Sequence, residues 1–426
     1  MNFKPYSEYQ PSGVEWLGDV PSHWEVKRFS HIFSEKKRKN MGLKETNVLS
    51  LSYGNIREKD INSEKGLLPE TFETYQIVEP DDLIFRFTDL QNDKRSLRSA
   101  ISRYKGIITS AYICVKNNNG NAHYFNYLFR DYDLKKVFYS MGNGMRQSLK
   151  IDELNLLPVA FPPLPEQTQI ANFLDKQTAC IDSLIAKQEQ LITLLEEQKK
   201  SIISYAVTKG IEPNREMKES GVEWLGKVPS HWEMIKTKYI FNQRKENALF
   251  NDEVITAFRD GQVTLRKNRR VDGFTNALKE YGYQHIYKGD LVIHEMDAFA
   301  GAIGVSEENG KSTPVYTVLY PKKDNVNNQF YAYFFRTMAL NGYISSLAKG
   351  IRVRSTDFRW SDSKNVHLVA PPLDEQDRIV AYIQTEQDKI NQLIEKQKAL
   401  INALKTYRTS LISYAVTGKI DVRDLG

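Results

Sequence analysis

Few residues in this chain could perform chemistry unaided, and each falls short of the spacing its chemistry demands. Gly304 and Gly310-Lys311-Ser312 approach a phosphate-binding loop, in which backbone N–H groups cradle phosphates and the lysine reaches the terminal ones. Five residues separate the glycines where that loop has four, so a turn between strands is expected. Asp374-Glu375-Gln376-Asp377 has the acidic character of a helicase box, yet it follows no apolar strand and opens a helical stretch. His294-Glu295 lacks the second histidine of a zinc protease motif. An amino-methyltransferase needs Asn or Asp before Pro-Pro and an aromatic after it. Here Pro162-Pro163 lies between Phe161 and Leu164, and Pro371-Pro372 between Ala370 and Leu373. His23 and His231 adjoin Trp24 and Trp232 at repeated positions, which points to packing. The expectation is a chain with no catalytic residues, no metal site and no cofactor of its own.

Binding is better represented than catalysis. Residues 1–162 and 212–370 hold the positive excess, net +3 and +4, whereas 163–211 and 371–426 are close to neutral. Lys94-Arg95 with Arg98 and Arg103 form one basic cluster, and Arg266-Lys267-Asn268-Arg269-Arg270 another. Cations interleaved with Asn, Gln and Ser suit phosphate contacts and base-edge hydrogen bonds. Gly144-Met145-Arg146 is echoed by Gly350-Ile351-Arg352, with Arg354 beyond. Cys114 and Cys180, the two cysteines, exclude a disulfide scaffold and fit a reducing cytoplasm. No apolar run approaches a membrane span, and Met1-Asn2-Phe3-Lys4-Pro5 does not open a signal peptide. A soluble cytoplasmic protein without membrane attachment is expected.

These clusters must be positioned by a frame that occurs twice. Pro165-Glu166-Gln167 opens some forty residues without Gly or Pro, closing on Ile203-Ser204-Tyr205-Ala206-Val207-Thr208; the pattern returns 209 residues later, from Glu375-Gln376 to Ile412–Thr417. Upstream, Ser12–Gly18 and Val20-Pro21-Ser22-His23-Trp24-Glu25 recur from Ser220 and Val228. Steps of four and three from Ile170 pass through Leu184, Gln188 and Leu191; in the second copy they pass through Leu393, Gln397 and Leu400. Most of these positions are apolar and their neighbours charged, which predicts a long coiled-coil seam in each copy. Between the landmarks the pattern is α+β. Ile107–Val115 and Thr313–Tyr320 read as strands, and the aromatic stretches Tyr124–Phe129 and Phe330–Phe335 as short buried helices. Expected domains are 1–162 and 212–370, with long helices in 163–211 and 371–426.

Together these motifs resemble the specificity subunit of type I restriction–modification systems, the HsdS family. The resemblance rests on Gly-Val-Glu-Trp-Leu-Gly, Val-Pro-Ser-His-Trp-Glu, the Gly-x-Arg element and the Pro-Pro-Leu-x-Glu-Gln helix opening, each present twice and in the family's order. It implies two α/β target-recognition domains joined by two long antiparallel coiled-coil helices, with an internal pseudo-two-fold repeat. Each domain would read half of a bipartite site in double-stranded DNA. Two modification subunits would methylate adenine from S-adenosylmethionine, and restriction subunits would translocate and cut with ATP. The alternatives are a duplicated coiled-coil adaptor without sequence readout and a nuclease acting alone. Antiparallel pairing about a two-fold axis would also bring Gln188 and Gln397 together as a self-satisfied polar layer that sets register.

Overall fold

The computed structural model describes residues 3–59, 71–88, 90, 97–141, 148–269, 281–347 and 358–425. The chain divides into two units, residues 1–188 with 398–426, and residues 189–397. The division runs through both long helices instead of falling at their starts.

The first unit is built on a four-stranded antiparallel sheet of β1 (Phe33–Glu35), β2 (Leu83–Phe85), β3 (Ser99–Ile101) and β4 (Ile113–Asn117), in the order β1-β4-β2-β3. All three residues of the inner strand β2 are buried, as a strand covered on both faces requires. Its outer cover includes α1 (Ala122–Leu134), begun by the Asn121 side chain accepting from the Tyr124 N–H. Phe125 and Phe129 of α1 meet Phe33 and Phe85 of the sheet with ring centres 4.9 and 5.3 Å apart. These aromatics are core, as expected. The long run 107–115 is not one strand. Gly106–Ile108 pairs with Gln76–Val78, β4 begins only at Ile113, and Thr109–Tyr112 turns between them. A continuous β-branched run cannot reveal such a turn, because Thr and Ser serve strands and turns alike.

The second unit has the same plan. Strands β5 (Phe241–Gln243), β6 (Leu291–His294), β7 (Ile303–Val305) and β8 (Tyr316–Pro321) are ordered β5-β8-β6-β7. Helix α3 (Asn328–Leu340) is capped by Asn327 and buries Phe330, Phe334 and Phe335. Gly304 and Gly310-Lys311-Ser312 lie within strands, β7 and a strand paired with Gln284–Ile286. The turn falls between them, and no helix follows to receive a phosphate.

The long elements are α2 (Leu164–Lys209, 46 residues) and α4 (Leu373–Val416, 44 residues). Each would span roughly 65–70 Å at about 1.5 Å per residue. In the first unit, Arg408 of α4 pairs with Asp182 of α2 at 3.0 Å, and the Tyr124 hydroxyl donates to the carbonyls of Ala160 and Val416. The end of α4 thus lies by the start of α2, and the two segments run in opposite senses. In the second unit Lys199 bonds Asn391 at 2.9 Å, and Leu195 packs with Ile390 and Ile394.

The buried stripe corrects the expected seam. Ile181, Ile185, Leu195, Ile390, Ile394 and Ile401 are buried, whereas Leu184, Leu191, Leu393 and Leu400 are 39–43 % exposed. The order of the steps is four then three from Ile181, not three then four. Leu184-Ile185, Leu191-Ile192, Leu393-Ile394 and Leu400-Ile401 are adjacent apolar pairs, so periodicity alone fits either phase. Gln188 and Gln397 keep half-buried places. Gln188 Oε1, however, is buried with no hydrogen-bond partner among the described residues, so it is not satisfied by a second amide.

The repeated motifs find one another at the helix starts. Glu166 accepts from the Tyr6 hydroxyl (2.5 Å) and Trp24 Nε1 (3.0 Å), and bonds His23 Nε2 (2.8 Å). Gln167 accepts from the Asn121 N–H and donates to the Pro162 carbonyl, which ties α1 to α2. In the second unit Glu375 bonds His231 Nε2 at 2.7 Å, while Gln376 accepts from Asn327 and donates to Pro371. The Glu-Gln pair and the His-Trp pair are therefore two halves of one clasp. Both histidines are exposed and hydrogen-bonded to the glutamate, so their repeated role is a polar contact at the helix start and not the packing expected.

Candidate nucleic-acid interface

Each unit presents cationic clefts where its sheet layer meets helix. In the first, a cleft of about 680 Å³ is lined by Tyr53, Arg103 and Arg130, with Asp182 and Arg408 from the helices. Tyr53-Gly54 forms a two-residue hairpin turn between Leu49–Ser52 and Asn55–Glu58, with φ of +47° and +72°. That left-handed pair twists as the flanking strands do. Tyr53 is 76 % exposed at the tip. Beneath it Arg130 donates to the carbonyls of Gly54 and Ser99. A Cβ on Gly54 would lie 1.8 Å from the Arg130 guanidinium, so only glycine admits this approach.

The second unit repeats the device. Arg336 of α3 donates to the Gly301 carbonyl, and a Cβ on Gly261, at φ +95°, would lie 1.6 Å from it. Burial draws both guanidiniums below the ordinary arginine range. Their roles escaped sequence reading, although Phe129-Arg130 and Phe335-Arg336 sit at matching places in the two aromatic stretches.

A further cleft of about 600 Å³ lies at the end of the second sheet. It is lined by Phe258, Arg259, Arg266, Arg269, His294 and Tyr316, among others. Arg269 pairs with Asp260 at 2.7 Å and lies 4.2 Å over the Phe258 ring, and Arg259 pairs with Asp297 at 2.8 Å. Burial lowers the His294 pKa against the opposing pull of Asp297, and it pushes the Tyr316 hydroxyl up to about 12. Both are neutral at neutral pH.

The expected basic residues divide sharply. Arg103 is exposed in the first cleft, and Arg266 and Arg269 line the sheet-end cleft. Lys267 is paired with Glu253, and Asn268 donates to Thr264 and Glu308. Arg98 is a correction. It is 0 % exposed, with its guanidinium on the Thr88 carbonyl and the Tyr139 hydroxyl. A guanidinium enclosed in this way cannot also meet a phosphate. Lys94, Arg95, Arg146, Arg270, Arg352 and Arg354 lie outside the described residues. Among the described residues no group of three or more His, Cys, Asp or Glu could hold a metal ion, and no helix is long and apolar enough to cross a membrane.

Comparison with known proteins adds an independent line. Residues 98–194 match the model of the type I restriction modification DNA specificity domain. A putative type I restriction enzyme MjaX specificity subunit from Methanocaldococcus jannaschii is 24% identical over 260 residues, 56% of this chain and 58% of that protein. The type I restriction enzyme EcoBI specificity subunit from Escherichia coli is 23% identical over 254 residues, 54% of this chain and 51% of that protein. The matches therefore span little more than half the length of these curated relatives. Among solved structures, one chain from work on complex assembly and conformational transition of a type I R-M system aligns with a TM-score of 0.65 at 14% identity. The alignment covers 93% of this chain and 98% of that one. The HsdS subunit from Thermoanaerobacter tengcongensis aligns with a TM-score of 0.58 at 15% identity, covering 94% and 98%. The likeness establishes a shared mixed α/β fold with long helices.

Proposed function

We propose that this chain, which belongs to the family of type I restriction–modification specificity subunits, is the part of such a complex that reads double-stranded DNA and holds its enzymes in place. One observation carries the reading: two units share a frame, each has a cleft between its sheet layer and its helices, and the residues lining those two clefts differ. Residues 1–162 and 212–370 serve as target-recognition domains for the two halves of a bipartite site. Residues 163–211 and 371–426 form an antiparallel coiled coil under a pseudo-two-fold repeat, and its length fixes the unread spacer. The opposed helix senses within each unit support that arrangement.

Arg103, Arg266 and Arg269 contact the duplex in this reading, together with Lys94, Arg95, Arg270 and Arg354. Arg146 and Arg352 hold phosphates, since both halves keep them while their readout differs. The modification subunits dock on the helical region, where Leu184, Leu191, Leu393 and Leu400 are each partly exposed. Those subunits supply S-adenosylmethionine chemistry at adenine, and restriction subunits supply ATP-driven cleavage. The chain itself is not catalytic and takes no cofactor.

The test is methylation-sensitive genome sequencing of cells that express this chain with its modification subunit. A bipartite motif with a fixed spacer is expected. Methylation without a motif, or equal affinity for random and site-bearing duplexes, would leave only an adaptor. Cutting by the isolated chain with a divalent metal would make it a nuclease.

A further inference from the structure

The sheet-end cleft of the second unit is lined by three arginines and a histidine, and its two acids are in ion pairs. Asp260 and Asp297 are paired with Arg269 and Arg259. His294 defines its chemistry. Its Nδ1 accepts the Asp297 backbone N–H at 3.0 Å. A neutral imidazole with Nδ1 accepting carries its proton on Nε2, and His294 lines the cleft. Tyr316 fixes the ring edge-on, with centroids 4.6 Å apart at 80°. The two residues are also cross-strand partners between β6 and β8.

The corresponding position in the first unit is found from register. Ile293 pairs with Thr317 and His294 follows; Phe85 pairs with Ile113 and Arg86 follows. The same strand end thus carries His294 in one half and Arg86 in the other, with Tyr316 and Tyr112 as the facing aromatics. A structural residue would be expected to match between the halves, as the Glu-Gln clasp does. A reading residue has reason to differ.

We infer that this cleft reads a guanine in the second half of the bipartite site, with His294 Nε2–H donating to its major-groove edge. Guanine alone presents two acceptors there, O6 and N7, without a donor beside them, which matches a pocket of donors. Arg266 lines the same cleft, its Nε donating to the Thr256 hydroxyl. Asp260 and Asp297 are held in ion pairs with Arg269 and Arg259, which lowers the pull of the cleft on a cytosine amino group. The inference rests on the reading of the chain as a DNA specificity subunit.

The experiment uses the full chain with its modification subunit, comparing the parent with H294F and H294Q. Phenylalanine keeps the ring and removes the donor; glutamine keeps a donor without the ring. Methylated motifs are sequenced, and binding is compared between the parent site and duplexes with each second-half base replaced. H294F is expected to leave the first half-site unchanged and to relax one guanine of the second by about ten- to hundredfold. H294Q should retain a preference for that guanine. Thermal unfolding of both variants separates a misfolded second unit from a changed readout. The inference is overturned by any of three results: an unchanged motif with H294F, relaxation at a base other than guanine or in the first half-site, or uniform weakening on all sequences with a shallower salt dependence, which marks a phosphate contact. Failure of the wider reading looks different, because the parent complex itself would then show no bipartite motif.

Discussion

The two units agree where the chain needs geometry and disagree where a ligand would be read. At the helix starts, Glu166 and Glu375 each grip a histidine beside a buried tryptophan, and Gln167 and Gln376 each tie an asparagine cap to a proline carbonyl. At the sheet ends, Arg86 stands where His294 stands. The hairpin beside it closes in two residues at Tyr53-Gly54, whereas its counterpart takes the five residues 258–262 between Ala257 and Val263. Duplication preserved the clasp because a buried carboxylate cannot lose its donors cheaply. The cleft walls carry no such penalty, and they diverged.

The clasps themselves are unequal, and that inequality offers the largest effect. Glu166 satisfies Tyr6, Trp24 and His23, whereas Trp232 Nε1 in the second unit is buried without a partner among the described residues. Glu166→Ala should destabilise its unit by about 3–5 kcal/mol, since several buried donors are stranded. Glu375→Ala should cost less. Separate unfolding transitions for the two units would measure both, and equal losses would break the comparison.

The buried arginines should behave alike. Arg130→Met and Arg336→Met each remove a buried guanidinium packed against Gly54 or Gly261, at about 2–3 kcal/mol. Hydrogen exchange at residues 49–58 and 255–265 should report local loosening in the matching unit alone.

A smaller, symmetric effect belongs to phosphate contacts. Arg146→Ala and Arg352→Ala should each weaken binding on all sequences and lower the salt slope by about one. Unchanged affinity with both removed would reject the assignment. The smallest effect is a gain. Gln188→Leu replaces an unsatisfied buried oxygen with an apolar group and should raise the unfolding temperature, corresponding to about 1 kcal/mol. A lower unfolding temperature would show that the amide is satisfied after all. With Gln397→Leu added, discrimination between spacer lengths should relax if these residues also set register.

Much of the frame was legible because it repeats. The helix pair, the aromatic helices and a shared structural place for His23 and His231 all follow from matched spacing. Three features were hidden for separate reasons. The phase of the seam was ambiguous because Leu-Ile pairs fill both candidate positions. Arg98 counted as surface charge because sequence does not register that Thr88 and Tyr139 enclose it. The sheet-end cleft joins residues from Thr256 to Tyr316 that only strand register brings together, and His294 drew notice solely as half of a metal motif.

The division of the chain also sets an order of events. Residues 189–397 are contiguous, so the second unit has all its parts before residues 398–426 are made. The first unit does not. Tyr124 awaits the carbonyl of Val416, the Lys4 carbonyl awaits the amide of Asp421, and the Asp19 carbonyl awaits Lys419. During synthesis the domain that emerges first is therefore completed last. Chaperones would meet the N-terminal half, and a stalled ribosome would release a finished second unit beside an unfinished first.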